Sequence, residues 1–148
     1  MIWKGKEIMS KKTITSTWLG GMAFGTDVDG HQIIIDAASE FGGENRGPRP
    51  KPLMLVALAG CTGIDVVSIL KKMRVNFDEF KIIVEGELTE EHPRHFSRMH
   101  IIYEFKGKNI PLDKLQKAVE LSQQKYCGVS ATYKKALELT WEIKINQS

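Results

Sequence analysis

Residues 52–73 read PLMLVALAGCTGIDVVSILKKM and contain the most apolar window of the chain, from Leu53 to Leu70. Its apolar positions cover more of a helix than a single stripe, which predicts a helix buried in a core. Pro52 suits the first helical turn, and the basic residues at 71, 72 and 74 suit the negative end of the helix dipole. Asp65 places a charge in mid-span, which favours a core helix over a membrane-spanning one.

Short strands precede this helix. Their β-branched and aromatic residues predict strands over 13–19, 22–28 and 33–35. The pair Asp29-Gly30 is a strong signal for a tight hairpin turn. We therefore expect an N-terminal antiparallel meander, followed by a long loop over 37–52 that is rich in glycine and proline.

Further strands and helices follow the apolar stretch. Strand patterns cover 80–88 and 98–105, and these two strands are predicted to pair as a hairpin. Pro111 begins a second helix, after which Ser130 is predicted to cap a short turn or helix. Alternating apolar residues over 137–145 predict a last strand with one apolar face. The order βββ-α-ββ-α-(α)-β is typical of an α+β fold.

The composition is that of an ordinary globular protein. A length of 148 residues predicts one domain, which we assign to 11–148, with 1–10 as a loose N-terminal extension. A net charge of +3 is too small to predict a nucleic-acid surface. The cysteine count of 2 does not make a disulfide scaffold, and it fits a reduced, cytoplasmic location.

Cys61 lies in the middle of the predicted core helix, and it allows two interpretations. Free cysteine is commonly a small buried hydrophobe, which would make Cys61 packing material. Gly60 and Gly63 argue for more, because glycine inside a helix costs about 1 kcal/mol and needs an offsetting contact or ligand. Asp65 shares the helix face of Cys61, where it forms a core hydrogen bond or shapes a site. Cys127 is either a buried thiol or the partner of an oxidised Cys61.

Three stretches resemble the OsmC/Ohr family of osmotically inducible and organic-hydroperoxide-resistance proteins. They are TWLGGMAF at 17–24 with IIID at 33–36, RPKPLMLVALAGCTGIDVVSILKKMR at 49–74, and KYCGVSAT at 125–132. The stretch around Cys61 is the most specific of them. The resemblance implies an α+β fold in which two chains intertwine as a homodimer. Their sheets would wrap around two central cysteine-bearing helices, with the active sites at the dimer interface.

The resemblance also implies a thiol peroxidase. Cys61 would be the peroxidatic thiol and Cys127 the resolving thiol, and an external dithiol would reduce the disulfide between them. Apolar neighbours such as Leu58 and Ile64 would favour an organic hydroperoxide as substrate. This chemistry needs no metal, flavin or other bound cofactor. We expect neither nucleic acid nor a membrane as a partner.

The chain departs from the family pattern in one respect. Active members carry a glutamate shortly before the peroxidatic cysteine, at positions that Lys51 and Pro52 occupy here, and this glutamate holds an arginine near the thiolate. Arg49 is the best substitute for that arginine, with Arg46 second and Glu44 as an acidic partner. The loss suggests a divergent branch. The alternative function is a non-catalytic or redox-sensing dimer that binds a small hydrophobic ligand.

Overall fold

The computed structural model describes residues 10–147, which form a mixed α+β structure of six strands in two sheets and three α-helices. The predicted α+β class is therefore confirmed. The chain divides after Pro50 into two compact units, which are described separately below. The assignment of 11–148 to one domain stays a prediction. Nearly all of the predicted extension over 1–10 lies outside the described residues.

The first unit contains an antiparallel sheet in the order β1-β2-β3, which confirms the predicted meander. The strands are β1 (Ser16–Trp18), β2 (Phe24–Val28) and β3 (His31–Ile35). Between β2 and β3, Asp29 and Gly30 have φ angles of 50° and 82°, as a tight hairpin turn of this sequence requires. β1 begins at Ser16 rather than at residue 13, and Gly20 and Gly21, both at positive φ, form a turn that separates its end at Trp18 from the start of β2 at Phe24.

One buried carboxylate organises the long loop after β3. Asp36 accepts hydrogen bonds from the backbone N–H of Ala37 at 2.8 Å and from those of Glu44 and Arg46 at 3.1 Å. The Arg46 guanidinium lies 3.6 Å from the same carboxylate. These bonds, led by the Arg46 N–H, hold the pKa of Asp36 below its usual value, although burial acts in the opposite direction. The segment is thus a folded loop, with a short 3-10 turn at Ser39–Phe41.

The second unit contains one three-stranded sheet in the order β4-β5-β6. Its elements are α1 (Pro52–Lys72), β4 (Glu79–Leu88), β5 (Phe96–Gly107), α2 (Leu112–Leu121), a π-helical turn (Ser122–Tyr126), α3 (Gly128–Tyr133) and β6 (Glu138–Gln147). The predicted antiparallel pairing of β4 with β5 is confirmed. β6 pairs with β5 in parallel, which the strand patterns alone did not predict. A parallel pair needs a long crossover, and the helical segments between β5 and β6 provide it.

The core of the second unit lies between the inner face of the sheet and α1. Alternate residues of β5 point inward and are fully buried: Met99, Ile101, Tyr103 and Phe105. The predicted apolar face of the last strand is confirmed, and its members pack against this core: Leu137, Leu139, Trp141, Ile143 and Ile145. The rings of Phe80 in β4 and Phe105 stack with centroids 4.2 Å apart, which ties the first two strands of the sheet together.

Helix α1 begins at Pro52 as predicted and ends at Lys72, with Arg74 beyond it in the left-handed conformation that closes many helices. The prediction of burial on most sides is wrong for the single chain. The buried residues form one stripe at every fourth position: Leu58, Thr62, Val66 and Leu70. Val56 and Ile64 are 61% and 74% exposed, so an apolar face is left uncovered. By length and composition α1 could also cross a membrane, a test that core helices of soluble proteins pass too.

We predict that Gly47→Ala destabilises the first unit by about 2 kcal/mol or more, because an added Cβ would overlap the backbone carbonyl oxygen of Ile34. A backbone atom cannot rotate away as a side chain can, so the loop would have to shift. Urea unfolding measures the loss. Gly128→Ala is the matched control, because an added Cβ there meets no atom within 4 Å. Equal unfolding midpoints for the two variants would contradict this account of the loop.

Candidate active site

The two cysteines lie on different elements of the second unit. Cys61 is in α1, half-buried, and packs against the core. Cys127 follows the π-helical turn and is only 3% exposed. Both are free thiols. Within residues 10–147, no group of three or more His, Cys, Asp or Glu side chains is arranged to hold a metal ion.

Cys127 caps α3, which corrects the prediction that Ser130 does so. The backbone at Cys127 is extended, and its sulfur accepts a hydrogen bond from the Ser130 backbone N–H at 3.4 Å. The Ser130 hydroxyl also donates to this sulfur, at 3.1 Å. Ser130 therefore lies inside the helix and fixes the position of the thiol from there.

The two thiols are close enough to interact with each other. Burial raises the pKa of Cys127, and the hydrogen bond and charge of Cys61 raise it further, while the hydrogen bonds from Ser130 act in the opposite direction. A hydrogen bond that raises the pKa of a thiol stabilises its protonated form. The contact with Cys61 therefore favours the protonated form of the Cys127 thiol.

A buried polar network lies beside the cysteines and begins at Thr62, the next residue of α1 after the cysteine. The Thr62 hydroxyl lies 2.7 Å from the Tyr103 hydroxyl and 2.8 Å from the Ser122 hydroxyl. Ser122 donates to the carboxylate of Asp65 at 2.9 Å. The side-chain amide nitrogen of Gln123, Nε2, donates to Tyr103 at 2.8 Å and to Thr62 at 3.2 Å. The network joins α1 to β5 and to the π-helical turn.

The Asp65 carboxylate sets the direction of these hydrogen bonds. An ionised carboxylate only accepts, so Ser122 uses its single hydroxyl hydrogen on Asp65. Ser122 must then accept from Thr62, and Thr62 must accept from Tyr103. Tyr103 in turn accepts from the amide N–H of Gln123. The hypothesis that Asp65 forms a hydrogen bond in the core is confirmed.

The amide oxygen of Gln123 is left over at the end of this series. Burial raises the pKa of Tyr103 to about 12, so its hydroxyl keeps its hydrogen at neutral pH and donates it to Thr62. Exchanging the amide nitrogen and oxygen of Gln123 would place the oxygen next to the Tyr103 hydroxyl oxygen. These two acceptors could not form a hydrogen bond, because the Tyr103 hydrogen is already donated to Thr62. In the described part of the chain, Gln123 Oε1 is buried and has no hydrogen-bond partner.

An open apolar groove with a volume of about 710 Å³ runs between α1 and β4. Its lining includes Gly60, Gly63 and Ile64 from the helix and Ile82 from the strand. An added Cβ at Gly63 would lie 2.8 Å from the Ile82 side chain, so this glycine allows close packing of helix on strand. At Gly60 an added Cβ would meet no atom within 4 Å of the described chain.

The two residues predicted to line a substrate pocket lie on different faces of α1. Ile64 borders the groove, whereas Leu58 is fully buried in the core. The structure therefore does not bring them together into one pocket. Leu58 supports the helix from the core side, and Ile64 presents apolar surface on the open side.

The two candidate arginines belong to the first unit, where loop groups engage them. Arg49 donates to two backbone carbonyls at 3.3 and 2.7 Å and to the Asn45 side chain at 2.6 Å. Arg46 donates to two other carbonyls at 3.4 and 2.7 Å. It also pairs with Asp36 at 3.6 Å and with Glu44, the acidic partner named from the sequence, at 3.5 Å. Both guanidinium groups thus stabilise the loop that follows β3.

Sequence reasoning missed four members of the polar network: Thr62, Tyr103, Ser122 and Gln123. Thr62 and Tyr103 occupy core positions of α1 and of the alternating strand β5, so a polar residue at each was a usable signal. Gln123 carried no such signal. It lies in the π-helical turn, which changes the helical register after Leu121 in a way that the apolar spacing does not reveal.

Comparison with known proteins identifies the class to which this fold belongs. A family model described as OsmC-like protein matches residues 42–142. Protein YhfA of Escherichia coli (strain K12) is 33% identical over 129 residues, which cover 86% of this chain and 93% of the relative. The chain therefore belongs to the OsmC-like protein family.

Solved structures confirm the predicted OsmC-like fold. A hypothetical protein from Aquifex aeolicus VF5 has a TM-score of 0.77 at 32% identity, and the match covers 93% of this chain and 99% of that one. The organic hydroperoxide resistance protein OhrB of Bacillus subtilis has a TM-score of 0.63 at 19% identity, with 90% and 98% covered. The second likeness shows the fold alone. The predicted homodimer stays a prediction.

We predict that Ser130→Ala raises the pKa of Cys127 further, because it removes the hydroxyl hydrogen bond that favours the thiolate. In a Cys61→Ser background, alkylation of Cys127 at pH 8 should slow by roughly three- to tenfold. Thr132→Ala is the control, because the Thr132 hydroxyl on the same helix bonds the carbonyl of Gly128 and should leave the rate unchanged. An unaltered rate in Ser130→Ala would show that this hydroxyl does not act on the sulfur.

Proposed function

We propose that the protein is a thiol-dependent peroxide reductase that acts on organic hydroperoxides. The observation that carries the proposal is the contact between two free thiols, Cys61 in α1 and Cys127 at the start of α3. Two cysteines in contact can cycle between dithiol and disulfide. Membership of the OsmC-like family supports a peroxide as the oxidant, since proteins of the same fold include some named for organic hydroperoxide resistance.

In the proposed reaction, the Cys61 thiolate attacks the hydroxyl-bearing oxygen of the hydroperoxide. A sulfur–oxygen bond forms, the O–O bond breaks, and the departing alkoxide takes a proton from solvent to become an alcohol. Cys61 is then a sulfenic acid. Attack by Cys127 forms a disulfide and releases water. An external dithiol reduces this disulfide to two thiols and is itself oxidised to a disulfide.

Two features support Cys61 as the attacking thiol. Burial and the contact with Cys61 raise the pKa of Cys127, so Cys127 does not readily ionise to an attacking thiolate. Cys61 is also the more accessible of the two, since it is half-buried and Gly60 beside it lines the apolar groove. In the dimer proposed below, this apolar groove would lie at the interface, where it would favour an organic hydroperoxide over hydrogen peroxide. A reduced cytoplasm is the proposed location, because the cycle starts from free thiols.

Arg49 is the proposed cation for the Cys61 thiolate, and Arg46 is the second candidate. A positive charge beside a thiol favours its ionised form. The guanidinium that stabilises the thiolate would also keep its hydrogen bonds to backbone carbonyls. This arrangement would replace the glutamate-held arginine of the family, since Lys51 and Pro52 stand where the glutamate would be.

We also propose that the uncovered face of α1 packs against a second copy of this chain, as the family resemblance implies. Val56 and Ile64 expose apolar surface there. In the described chain no atom lies within 4 Å of a Cβ at Gly60, so no contact offsets the roughly 1 kcal/mol that glycine costs inside a helix. A helix from the second copy that approaches Gly60 closely would supply this contact.

The peroxidase proposal predicts that the wild-type protein consumes cumene hydroperoxide when dihydrolipoamide is supplied. Cys61→Ser should not exceed the protein-free rate, because the nucleophile is gone. When dihydrolipoamide is left out, Cys127→Ser should oxidise Cys61 once per chain and then stop, because neither a resolving thiol nor an external thiol is present. Arg49→Gln should slow that single oxidation about tenfold by removing the cation.

These measurements also separate the proposal from its alternative. Equal consumption by wild type and Cys61→Ser would remove Cys61 from the mechanism. If the wild type consumes no hydroperoxide and native mass spectrometry reveals a co-purified hydrophobic ligand, the protein is a binding protein rather than a reductase. An unchanged oxidation rate in Arg49→Gln would reject Arg49 alone, and Arg46→Gln would then test the second candidate.

The dimer proposal predicts that Ile64→Lys is monomeric where the wild type has twice the chain mass, because a charge would be buried without a partner at the interface. Light scattering coupled to size-exclusion chromatography measures the mass. Leu112→Lys is the matched control, because Leu112 is an exposed apolar residue of α2 and should leave the dimer intact. A monomeric wild type would contradict the proposal, and binding of the wild type to lipid vesicles would identify a membrane as the occupant instead.

A further inference from the structure

The side-chain oxygen of Gln123 is a buried acceptor that the described part of the chain leaves unused. Gln123 is 5% exposed, and no group in residues 10–147 donates to its Oε1. Burying an acceptor without a partner costs about 1–3 kcal/mol, so such a group needs an explanation. Its amide nitrogen, by contrast, makes two hydrogen bonds in the same network.

The orientation of this amide is fixed from the other end of the network. Asp65 takes the hydrogen of Ser122, and the remaining hydroxyls must then donate in sequence toward it. The Tyr103 hydroxyl is left with acceptor capacity only, which the amide N–H of Gln123 fills. The network therefore holds Gln123 with its oxygen free, rather than with its nitrogen free.

The amide lies between the two cysteine-bearing segments. Its nitrogen is 3.2 Å from the hydroxyl of Thr62, the residue that follows Cys61 in α1. Its backbone belongs to the π-helical turn that ends next to Cys127, and the Cys127 N–H bonds the carbonyl of Ser122 at 2.8 Å within that turn. Segments with such a turn are frequently found at functional sites.

We propose that Gln123 is a positioning residue for the thiol reaction, whose Oε1 accepts a hydrogen bond from the hydroxyl group that is transferred to Cys61. This inference rests on the proposed peroxide reductase function. A hydroperoxide carries one O–H donor on its terminal oxygen, and after transfer the same oxygen and hydrogen form the hydroxyl of the sulfenic acid. One fixed acceptor can therefore hold this hydroxyl before and after the O–O bond breaks. The ligand expected at Oε1 is a small molecule, or a covalent adduct of Cys61, that carries a hydroxyl donor.

The test compares two reactions of Cys61, only one of which involves a hydroxyl donor. In the full-length Cys127→Ser protein, mass spectrometry measures the rate constants for oxidation by cumene hydroperoxide and for alkylation by iodoacetamide. We expect Gln123→Met to lower the ratio of oxidation to alkylation about tenfold, the loss expected for one hydrogen bond in the transition state. Gln124→Met is the matched control, because Gln124 is an exposed glutamine of the same turn. It should leave the ratio unchanged.

A second variant keeps the test decisive if Gln123→Met does not fold. Tyr103→Phe removes the hydroxyl that orients the amide while leaving the amide in place, and it should lower the ratio about threefold. An unchanged ratio of oxidation to alkylation in a folded Gln123→Met protein overturns the proposal. If both rates fall equally, the ratio is also unchanged, and the role of Gln123 is structural. If Gln123→Met is unfolded, an unchanged ratio in Tyr103→Phe overturns it. If Cys61 of the Cys127→Ser protein is alkylated by iodoacetamide but never oxidised by cumene hydroperoxide, the proposed peroxide reductase function itself is overturned.

Discussion

One hydroxyl in the buried stripe of α1 constrains the whole second unit. Thr62 is the polar member of that stripe, and a buried hydroxyl without partners would cost about 1–3 kcal/mol. Its partners come from β5, through Tyr103, and from the π-helical turn, through Ser122. Helix, sheet and crossover must therefore meet at this point. The hydrogen bonds of Thr62 thereby also fix the position of Cys61, one residue earlier in the same helix.

This arrangement gives α1 three distinct sides. The Thr62 side is sealed in the core, the Ile64 side is open and apolar, and Cys61 lies between them, half-buried. A thiol at such a border can contact Cys127 on the protein side while it stays partly exposed. Among the residues that the structure describes, the same polar network leaves one acceptor, on Gln123, without a partner. Structure and proposed chemistry thus depend on the same few hydrogen bonds.

Local patterns in the sequence predicted most of the fold. Pro52 marked the start of α1, Asp29-Gly30 marked the first hairpin, and the alternation over 137–145 marked the inward face of β6. The parallel pairing of β6 with β5 was not predictable, because alternation identifies a face and not a neighbour or a direction.

The candidate site was predictable only in part. The motif around Cys61 and Cys127 pointed to the thiol pair, but the hydrogen-bond network around it joins residues that are up to 61 positions apart. Burial of α1 on most sides was a wrong expectation for one chain, since apolar composition does not say which molecule covers a face. Ser130 as a helix cap was wrong because the sulfur of Cys127 accepts the hydrogen bond of the first turn instead.

We propose that Cys61 and Cys127 of one chain form a redox pair. Peptide mapping by mass spectrometry, after treatment of the reduced protein with one equivalent of cumene hydroperoxide, tests it directly. We expect one disulfide that joins Cys61 to Cys127 within a single chain, and its loss after addition of dihydrolipoamide. Two unmodified thiols, or a Cys61 that proceeds to sulfinic acid without ever linking to Cys127, would contradict the account.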